Sequence, residues 1–348
     1  MKIAVIGCGR IANLQHFGAL SEIPGIEIKY AVDIIAERAR AAKEQFGCER
    51  AETDYRIALA DPEIAAVYVL TPNYAHYEIT MAALRAGKHV FCEKPVTVNY
   101  ALSQEMRELA NEKGLLLHIG VCNRFHKTVE LVKALCDAGE LGEVYHIYCS
   151  FRDHRNIPGL GGDFTTKAVS GGGVLIDWGV HFLDLIVYIT GIKAQSVTAV
   201  CHNRLGKDIG RYVFKDMWAG PPKADGVNDV EECVTGLIRT DGASLSFNGA
   251  WAQNIGKREM FVDFLGDKGG VRLNYGERFT LYTDRGGVLQ EIVPDYNIQN
   301  MYRLESEDFF RSIQTGIKGR GHIDNVIETA KIMDAIYASA EQGREVHL

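Results

Sequence analysis

Short apolar runs rich in β-branched residues alternate with amphipathic helical stretches over the first 120 residues of the chain. Runs of this kind are typical of strands that are buried on both faces. The predicted strands are Lys2–Ile6, Glu27–Val32, Ala66–Leu70, His89–Cys92 and Leu115–Gly120, and the predicted helices are Ala36–Phe46, Asp54–Ala60, Tyr74–Ala86 and Asn99–Lys113. Strands separated by helices predict an α/β fold with a doubly wound parallel sheet, which binds ligands at the carboxyl ends of its strands.

From residue 123 onward, strands with alternating polar and apolar residues dominate, and glycine-containing turns typical of hairpins separate them. After a helix at Lys127–Ala138, the predicted strands are Glu143–Phe151, Ala194–His202, Val230–Arg239, Ala243–Ala250, Met260–Gly266, Gly270–Leu273, Phe279–Tyr282 and Leu289–Val293. Two helices close the chain, Met301–Ile313 and Asn325–Glu341, and Asp324 is the expected N-cap of the second. We therefore predict two domains, residues 1–122 and residues 123–348, the second an α+β domain with a large, open, mostly antiparallel sheet.

One helical stretch, Ser170–Leu185, opens with three glycines and is apolar on almost every side. Its polar exceptions, Asp177, His181 and Asp184, have the i, i+4, i+7 spacing that places them on one stripe of the helix. Burying ionisable groups costs free energy unless each of them finds a partner. The stripe therefore indicates either a satisfied buried His–Asp hydrogen bond or an acid/base pair that faces a ligand.

The turn after the first strand carries the dinucleotide-binding pattern Gly7-x-Gly9-x-x-Ala12. Gly7 permits the tight turn, Gly9 leaves room for a pyrophosphate, and Ala12 allows close packing of helix on strand, so we expect a Rossmann domain. Asp33 ends the second strand, 21 residues after Ala12. An acid there accepts hydrogen bonds from ribose hydroxyls and repels a 2′-phosphate, so the expected cofactor is NAD rather than NADP.

Polar residues follow two further strands of the predicted sheet. Thr71-Pro72-Asn73 ends one strand and Glu93-Lys94-Pro95 ends the next. Because ligands lie at such strand ends, a lysine fixed between a strand and a proline is a candidate for chemistry. The alternative is a surface lysine beside a turn.

Taken together, these motifs resemble the Gfo/Idh/MocA family (glucose–fructose oxidoreductase, inositol dehydrogenase and rhizopine catabolism proteins). The motifs are Gly7-x-Gly9-x-x-Ala12, Thr71-Pro72-Asn73-x-x-His76, Glu93-Lys94-Pro95 and Gly171-Gly172-Gly173 followed by Asp177-x-x-x-His181, in this order. The resemblance covers essentially the whole chain. It implies that Lys94, Asp177 and His181 line the site where a sugar or cyclitol hydroxyl is oxidised. It also implies a cis Lys94–Pro95 peptide bond and a homo-oligomer (dimer, tetramer or higher) formed through the open sheet.

The glycine motif and the resemblance together define the expected site. The expected cofactor-binding residues are Gly7, Gly9, Arg10, Ile11, Ala12, Asp33, Thr71, Pro72, Asn73, His76, Glu93 and Lys94. We expect His181 to accept the hydroxyl proton, Asp177 to orient it or to hold a neighbouring hydroxyl, and Lys94 to polarise the oxygen or to act as the base itself. The choice of base between Lys94 and His181 stays open. Asp184 gains no role from the resemblance and is expected to be structural.

A polar, glycine-rich segment at residues 151–170 predicts a wall or lid of the substrate pocket. The candidate substrate-binding residues are Arg124, Arg152, His154, Asp163 and Lys167. The family often places a tryptophan in this segment, and this sequence has none there. A second irregular segment, Asn203–Asn228, is long enough to reach a neighbouring site or subunit.

Composition limits the partners further. The net charge of −7 and the lack of Lys/Arg clusters disfavour nucleic acid and anionic membranes as partners. No apolar run approaches the ~20 residues that span a bilayer, and no signal-peptide pattern opens the chain, so we expect a cytoplasmic protein. The eight cysteines lack C-x-x-C spacing and are expected to be reduced core residues, and no metal site is predicted.

The activity expected from these observations is NAD-dependent oxidation of a secondary ring hydroxyl of a sugar, a glycoside (at C3, for example) or a cyclitol. Two alternatives remain. A lyase or hydrolase that oxidises a sugar C3 hydroxyl only transiently would use the same residues and release no net NADH. A non-catalytic NAD-binding regulator would not need Lys94, Asp177 and His181 together.

Overall fold

The computed structural model describes residues 1–215 and 217–348. Its strands are β1 (Lys2–Ile6), β2 (Glu27–Val32), β3 (Arg50–Glu52), β4 (Ile64–Val69), β5 (His89–Glu93), β6 (Leu117–Gly120), β7 (Val144–Arg152), β8 (Ala194–His202), β9 (Cys233–Thr240), β10 (Ser244–Ala250), β11 (Glu259–Gly266), β12 (Gly269–Asn274), β13 (Phe279–Arg285), β14 (Val288–Ile292) and β15 (Val346–His347). Its α-helices are α1 (Phe17–Ser21), α2 (Ala36–Phe46), α3 (Tyr55–Ala60), α4 (His76–Arg85), α5 (Tyr100–Glu112), α6 (Lys127–Asp137), α7 (Lys167–Ser170), α8 (Val180–Thr190), α9 (Met301–Thr315) and α10 (Ile323–Gln342).

These elements form two compact units, residues 1–125 with 299–327 and residues 126–298 with 328–348. The predicted single boundary between residues 122 and 123 differs from this division chiefly because residues 299–327 return to the first unit. Phe309 and Phe310 of α9 join the same apolar cluster as Ile3 and Val5 of β1, which accounts for the return.

The first unit contains a six-stranded parallel sheet in the order β3-β2-β1-β4-β5-β6. This is the strand order of a Rossmann dinucleotide-binding domain, and it confirms the predicted fold. Alternate residues of β1 enter two apolar clusters, Ile3 and Val5 in one and Ala4 and Ile6 in the other, so both faces of the sheet are covered. The short strand β3 was not predicted, because its sequence is polar and only partly buried.

The second unit contains a nine-stranded sheet in the order β14-β13-β12-β11-β7-β10-β9-β8-β15. Neighbouring strands are antiparallel except β7 and β10, which are parallel, so the prediction of a large, mostly antiparallel sheet is confirmed. Helix α8 packs on one face, where Phe182 stacks on Phe151 of β7 with 5.1 Å between ring centroids. Strand β9 begins three residues later than predicted, and the Glu231 carbonyl just before it accepts a hydrogen bond from the Val174 N–H instead of from a neighbouring strand.

The predicted N-cap of the last helix is wrong. Helix α10 begins at Ile323, and Asp324 lies inside its first turn, where its carboxylate pairs with Arg107 and Lys318. The cap is the preceding histidine, since Nδ1 of His322 accepts the Asp324 N–H at 3.2 Å. Asp324 is a residue type that favours the N-cap position, but its carboxylate pairs with basic side chains instead. The sequence did not indicate this pairing, because Arg107 and Lys318 lie outside the local cap pattern.

Within the described residues, one helical stretch, Lys167–Thr190, is long and apolar enough to cross a membrane, with a mean hydropathy of 1.5 in its most apolar window. Inside the fold, 72% of that window is buried. The stretch therefore packs as the core helix of the second unit, where its apolar side chains meet the sheet.

Candidate active site

The glycine turn after β1 has the geometry that a dinucleotide requires. Gly7 has a φ of +99°, and a Cβ there would lie 2.5 Å from the carbonyl oxygen of Leu70, so only glycine fits. A Cβ on Gly9 would meet no atom within 4 Å, which leaves space above the backbone for a ligand. The first helical bond runs from the Asn13 N–H to the Gly9 carbonyl at 3.1 Å, so a helix begins directly after Gly9 and its N-terminus, which favours phosphate groups, lies at the glycine turn. These residues fit NAD.

Asp33 is fixed beside this turn at the end of β2. Its Oδ2 accepts the Cys8 N–H at 2.9 Å and its Oδ1 accepts the Ile35 N–H at 2.9 Å. The carboxylate thus braces the glycine turn, and Arg10 of that turn is exposed. Ile34, the next residue, is exposed and uncharged, which agrees with the expected preference for NAD.

The loop after β4 is joined to the loop after β5 by His76. Its ring is fully buried, with Nδ1 2.8 Å from the carbonyl oxygen of Pro95 and Nε2 3.0 Å from that of Thr71. Burial lowers the pKa of His76, and the neutral ring donates to one of the two carbonyls. His76 therefore positions the two loops, whereas Asn73 and the exposed Pro72 lie in the turn that leads into α4.

Glu93 ends β5 and Lys94 follows it, and a histidine from the glycine-motif helix supports both residues. Oε1 of Glu93 lies 2.8 Å from Nε2 of the fully buried His16, and Oε2 accepts the Lys94 N–H at 2.9 Å. Burial raises the pKa of Glu93, but His16 and Lys94 outweigh this effect and leave it lowered. The Lys94–Pro95 peptide bond is cis, as the resemblance implies, and the Lys94 side chain is partly exposed.

The second unit presents the predicted acid/base stripe from a helix that begins with a π turn. Leu175–Gly179 is π-helical, because the Val180 N–H donates to the Leu175 carbonyl five residues earlier, and α8 follows it. Such turns are frequent at functional sites. Asp177 and His181 are both partly exposed, whereas Asp184 on the same stripe is 2% exposed.

Two partners distinguish the aspartates of the stripe. The Trp251 indole N–H donates to Oδ2 of Asp177 at 3.2 Å, and the Thr329 hydroxyl donates to Oδ1 of Asp184 at 3.1 Å. Trp251 is itself 1% exposed, so it holds Asp177 from the core side. Asp184 has the buried, hydrogen-bonded environment of a structural residue, as predicted.

Four of the candidate substrate-binding residues lie in the 151–170 segment or on the last residues of β7. Arg152 is paired with Glu259 at 2.7 Å, and His154 contacts the Gln253 carbonyl at 3.1 Å from an exposed position. Asp163 and Lys167 are exposed at the start of short helical turns.

For Arg124 the prediction of substrate contact does not fit the structure. Its side chain is 1% exposed, and the two terminal guanidinium nitrogens donate to the carbonyls of Arg320 and Asn325 at 2.8 Å each. The guanidinium therefore fixes the first turn of α10 and the residues just before it. The sequence shows that residue 124 is an arginine, but not that its side chain is buried in the fold.

A tryptophan of the second irregular segment packs against the 151–170 segment. Trp218 packs edge-on against Phe164, with 4.8 Å between ring centroids. The two segments also meet where the Lys223 N–H donates to the Leu160 carbonyl at 2.8 Å. Residue 216 of the second segment lies outside the described residues.

Sequence reasoning missed three contributors to these sites, namely His16, Trp251 and Glu231. His16 carried a local signal, because it lies one helical turn after Ala12. The other two are distant in sequence from the helix they hold. In the part of the chain that the structure describes, no group of three or more His, Cys, Asp or Glu side chains is arranged to hold a metal, and all eight cysteines are free thiols.

Residues 1–121 match the family model described as an oxidoreductase family with an NAD-binding Rossmann fold, and residues 129–272 match the GFO/IDH/MocA C-terminal domain. The chain is 29% identical to D-glucoside 3-dehydrogenase of Escherichia coli K12, covering 100% of this chain and 97% of that protein. It is 24% identical to scyllo-inositol 2-dehydrogenase (NAD(+)) of Bacillus subtilis 168, covering 91% and 87%.

Among solved structures, levoglucosan dehydrogenase in complex with NADH and L-sorbose has the same fold, with a TM-score of 0.87 at 23% identity over 100% of this chain and 98% of that one. The matches of both domains agree with the glycine turn and the Glu93-Lys94-Pro95 motif, since all of them indicate the same family. The chain belongs to the Gfo/Idh/MocA family of NAD-binding oxidoreductases.

Proposed function

We propose that this chain is an NAD-dependent dehydrogenase that oxidises a secondary ring hydroxyl of a sugar, a glycoside or a cyclitol to a ketone. The observation that carries the proposal is the contrast along the stripe of the core helix. Asp177 and His181 remain partly exposed, whereas Asp184 is buried and bonded to Thr329. An acid/base pair that only satisfied itself in the core would not need this access.

NAD, when bound, accepts the hydride that leaves the substrate carbon, and the hydroxyl proton must leave to a base. We assign proton transfer to His181, because histidine is the side chain that most often serves as a general base at neutral pH, with Lys94 as the alternative base. Asp177, held by Trp251, orients the imidazole or a neighbouring hydroxyl. Lys94 polarises the hydroxyl oxygen, and the Glu93 carboxylate fixes its backbone through the 2.9 Å hydrogen bond.

We propose a glycoside oxidised at C3 as the preferred substrate. Support comes from the full-length similarity to a D-glucoside 3-dehydrogenase. The polar 151–170 segment, whose His154, Asp163 and Lys167 are exposed, offers groups to the hydroxyls of a second sugar or an aglycone.

The test is NADH formation at 340 nm with methyl glucosides, free hexoses, hexose phosphates and inositols. A C3 dehydrogenase gives a 3-keto product by NMR, and a 3-deuterated glucoside transfers its label to the cofactor and reacts more slowly. NADH from inositols alone would replace the glycoside proposal with a cyclitol one. Cleavage products without net NADH would identify the lyase, and NAD binding without any turnover would identify the regulator.

The residue assignments are tested with Lys94→Ala and His181→Ala, each of which we expect to lower turnover by ~10²–10⁴. Lys113→Ala and His347→Ala are matched controls, because both side chains are exposed and outside the proposed machinery. Wild-type turnover in both Lys94→Ala and His181→Ala would refute the mechanism.

We also propose that the protein is a cytoplasmic homo-oligomer. The sheet face opposite α8 carries apolar groups on neighbouring strands, including Tyr148 and Phe261, which are diagonal neighbours with 5.8 Å between their ring centroids. Leu265 and Tyr282 on the same face are 36% and 44% exposed, and a second copy of the chain would cover them. Light scattering after size exclusion should give at least a dimer. A monomer at micromolar concentration would contradict the proposal.

A further inference from the structure

A single buried carboxylate holds the start of the helix that carries Asp177 and His181. Glu231 lies just before β9, and its Oε1 accepts the N–H of Gly173 at 2.9 Å and that of Leu175 at 3.1 Å. The Glu231 backbone carbonyl accepts the Val174 N–H at 3.1 Å. Three consecutive N–H groups that the helix itself cannot satisfy therefore have one residue as their acceptor.

The glycine triplet explains how Glu231 comes so close. A Cβ on Gly173 would lie 1.8 Å from the Glu231 carbonyl oxygen, and a Cβ on Gly172 would lie 2.1 Å from the hydroxyl oxygen of Tyr337. The Tyr337 hydroxyl in turn donates to Oε1 of Glu231 at 2.9 Å. These two glycines leave room for Glu231 and Tyr337 to pack against the helix start.

The Glu231 carboxylate is the acceptor in each of these side-chain contacts. The side chain is 8% exposed, and burial raises the pKa of Glu231 above its ordinary value, although the Gly173 and Leu175 N–H groups and the Tyr337 hydroxyl oppose this shift by stabilising the ionised form. A negative charge at a helix N-terminus also interacts favourably with the helix dipole.

The next residue connects the same strand to Asp177 by a second route. The Glu232 backbone carbonyl accepts the Trp251 N–H at 2.9 Å, and the Trp251 indole donates to Asp177. The Glu232 carboxylate accepts the N–H groups of Arg204 and Gly206 at 2.9 and 2.6 Å, which anchors the strand from its other side. Residues 231–232 thus fix Asp177 both through the helix backbone and through Trp251.

We propose that Glu231 is a positioning residue of the dehydrogenase reaction, and that its carboxylate sets the rotation and height of the helix at which Asp177 and His181 meet the substrate. The proposal rests on the proposed function of those two residues. A shift of about 1 Å in a reacting group can cost ~10²-fold in rate, so a small slippage of the helix start would be measurable.

Glu231→Gln tests the role with little change of volume. The amide keeps one acceptor oxygen, but its NH₂ group opposes a backbone N–H, so we expect kcat to fall about 10- to 100-fold. The Kd for NAD should stay within about two-fold, because the glycine turn and Asp33 belong to the other unit. Glu231→Asp keeps the charge on a shorter side chain and should recover part of kcat. Tyr337→Phe removes one neutral donor and should lower kcat less than Glu231→Gln does.

Asp184→Asn is the matched control, because it perturbs a buried carboxylate of the same helix outside the reaction. It should lower the melting temperature while kcat, measured well below that temperature, stays unchanged. If Glu231→Gln behaves like this control, with a lower melting temperature and wild-type kcat, the positioning role is refuted.

If Glu231→Gln does not fold, unchanged kcat in both Glu231→Asp and Tyr337→Phe refutes the proposal. The His181→Ala variant distinguishes a failure of the proposed catalytic pair from a failure of the role proposed for Glu231. Wild-type turnover without the His181 imidazole refutes the assignment of the pair itself. Loss of turnover there together with wild-type kcat in Glu231→Gln refutes only the role of Glu231.

Discussion

Gly7 and Gly9 carry the same sequence signal, but the structure predicts that alanine at these two positions will fail in different ways. Gly7 has a φ of +99°, and its added Cβ would lie 2.5 Å from the Leu70 carbonyl oxygen. Gly9 has open space where its Cβ would be. Gly7→Ala should therefore damage folding, and Gly9→Ala should damage only the binding of NAD.

The magnitudes follow from these two environments. At Gly7 the strained φ costs about 1–3 kcal/mol and the displaced backbone of the neighbouring loop about 1–3 kcal/mol more. A loss of this size corresponds to a melting temperature lower by about 5–15 °C for a unit of this length. At Gly9 the free protein should change by less than about 0.5 kcal/mol, as for a surface substitution.

For NAD binding, the Gly9 methyl would occupy the space through which a pyrophosphate reaches the N–H groups of the turn. A hydrogen bond to a charged group contributes about 1.5–3 kcal/mol, so losing one weakens binding about 10- to 150-fold. Calorimetric titration with NAD measures this directly, and a thermal melt without NAD measures the cost to folding. Added NAD should raise the melting temperature of the wild type and much less that of Gly9→Ala.

Two results would refute this reasoning. Wild-type NAD affinity in Gly9→Ala would mean that the dinucleotide does not approach the backbone at this turn. An unchanged melting temperature in Gly7→Ala would mean that the Leu70 carbonyl can move aside freely. Ala12, already an alanine in the same motif, shows that the helix itself tolerates a Cβ in this region.

Two further predictions concern buried residues of the first unit. Arg124→Ala should destabilise the protein by about 2–6 kcal/mol, since it leaves two carbonyls without their donors, and should leave the substrate KM unchanged. A raised KM with a normal melting temperature would instead support Arg124 as a substrate-binding residue. Burial lowers the pKa of His118 to about 3, with a smaller contribution from His322. Between pH ~6.5 and 3, therefore, only the unfolded state binds a proton at this histidine. The free energy of unfolding should fall as the pH is lowered through that range. Urea unfolding at pH 7 and 5.5 should therefore show a smaller loss in His118→Asn than in wild type, and an equal loss in both would contradict this assignment.

Most strands and long helices of this chain were predictable because their signals are local. An apolar run such as Ile64–Val69 needs only its own side chains to indicate a buried strand. The strands β3 and β15 were not predicted because each is only two or three residues long and pairs with the edge of a sheet. Segments this short carry no periodic pattern that would indicate a strand. The π turns at Ala12–His16 and Leu175–Gly179 were missed because their residues have the same apolar pattern as an ordinary helix.

The site residues were predictable where a local motif requires a particular backbone geometry. They were not predictable where the site depends on a residue that is distant in sequence. Glu231 follows the helix start by 58 residues, and nothing in its neighbourhood indicates that it binds the Gly173 N–H. The sequence showed that Asp177, His181 and Asp184 share one side of a helix, but not how deeply each side chain is buried. Helical periodicity gives the direction of a side chain and not its distance from the surface.

Glycines in this chain therefore serve two opposite physical purposes, and the sequence alone does not distinguish them. Gly9 is open toward solvent, so its missing side chain leaves room for a ligand. Gly7, Gly172 and Gly173 are already in contact with Leu70, Tyr337 and Glu231, so their missing side chains leave room for the protein itself. Substitution at the first kind should affect binding and spare folding, and substitution at the second kind should do the reverse. The atoms that an added Cβ would meet decide which kind a glycine is.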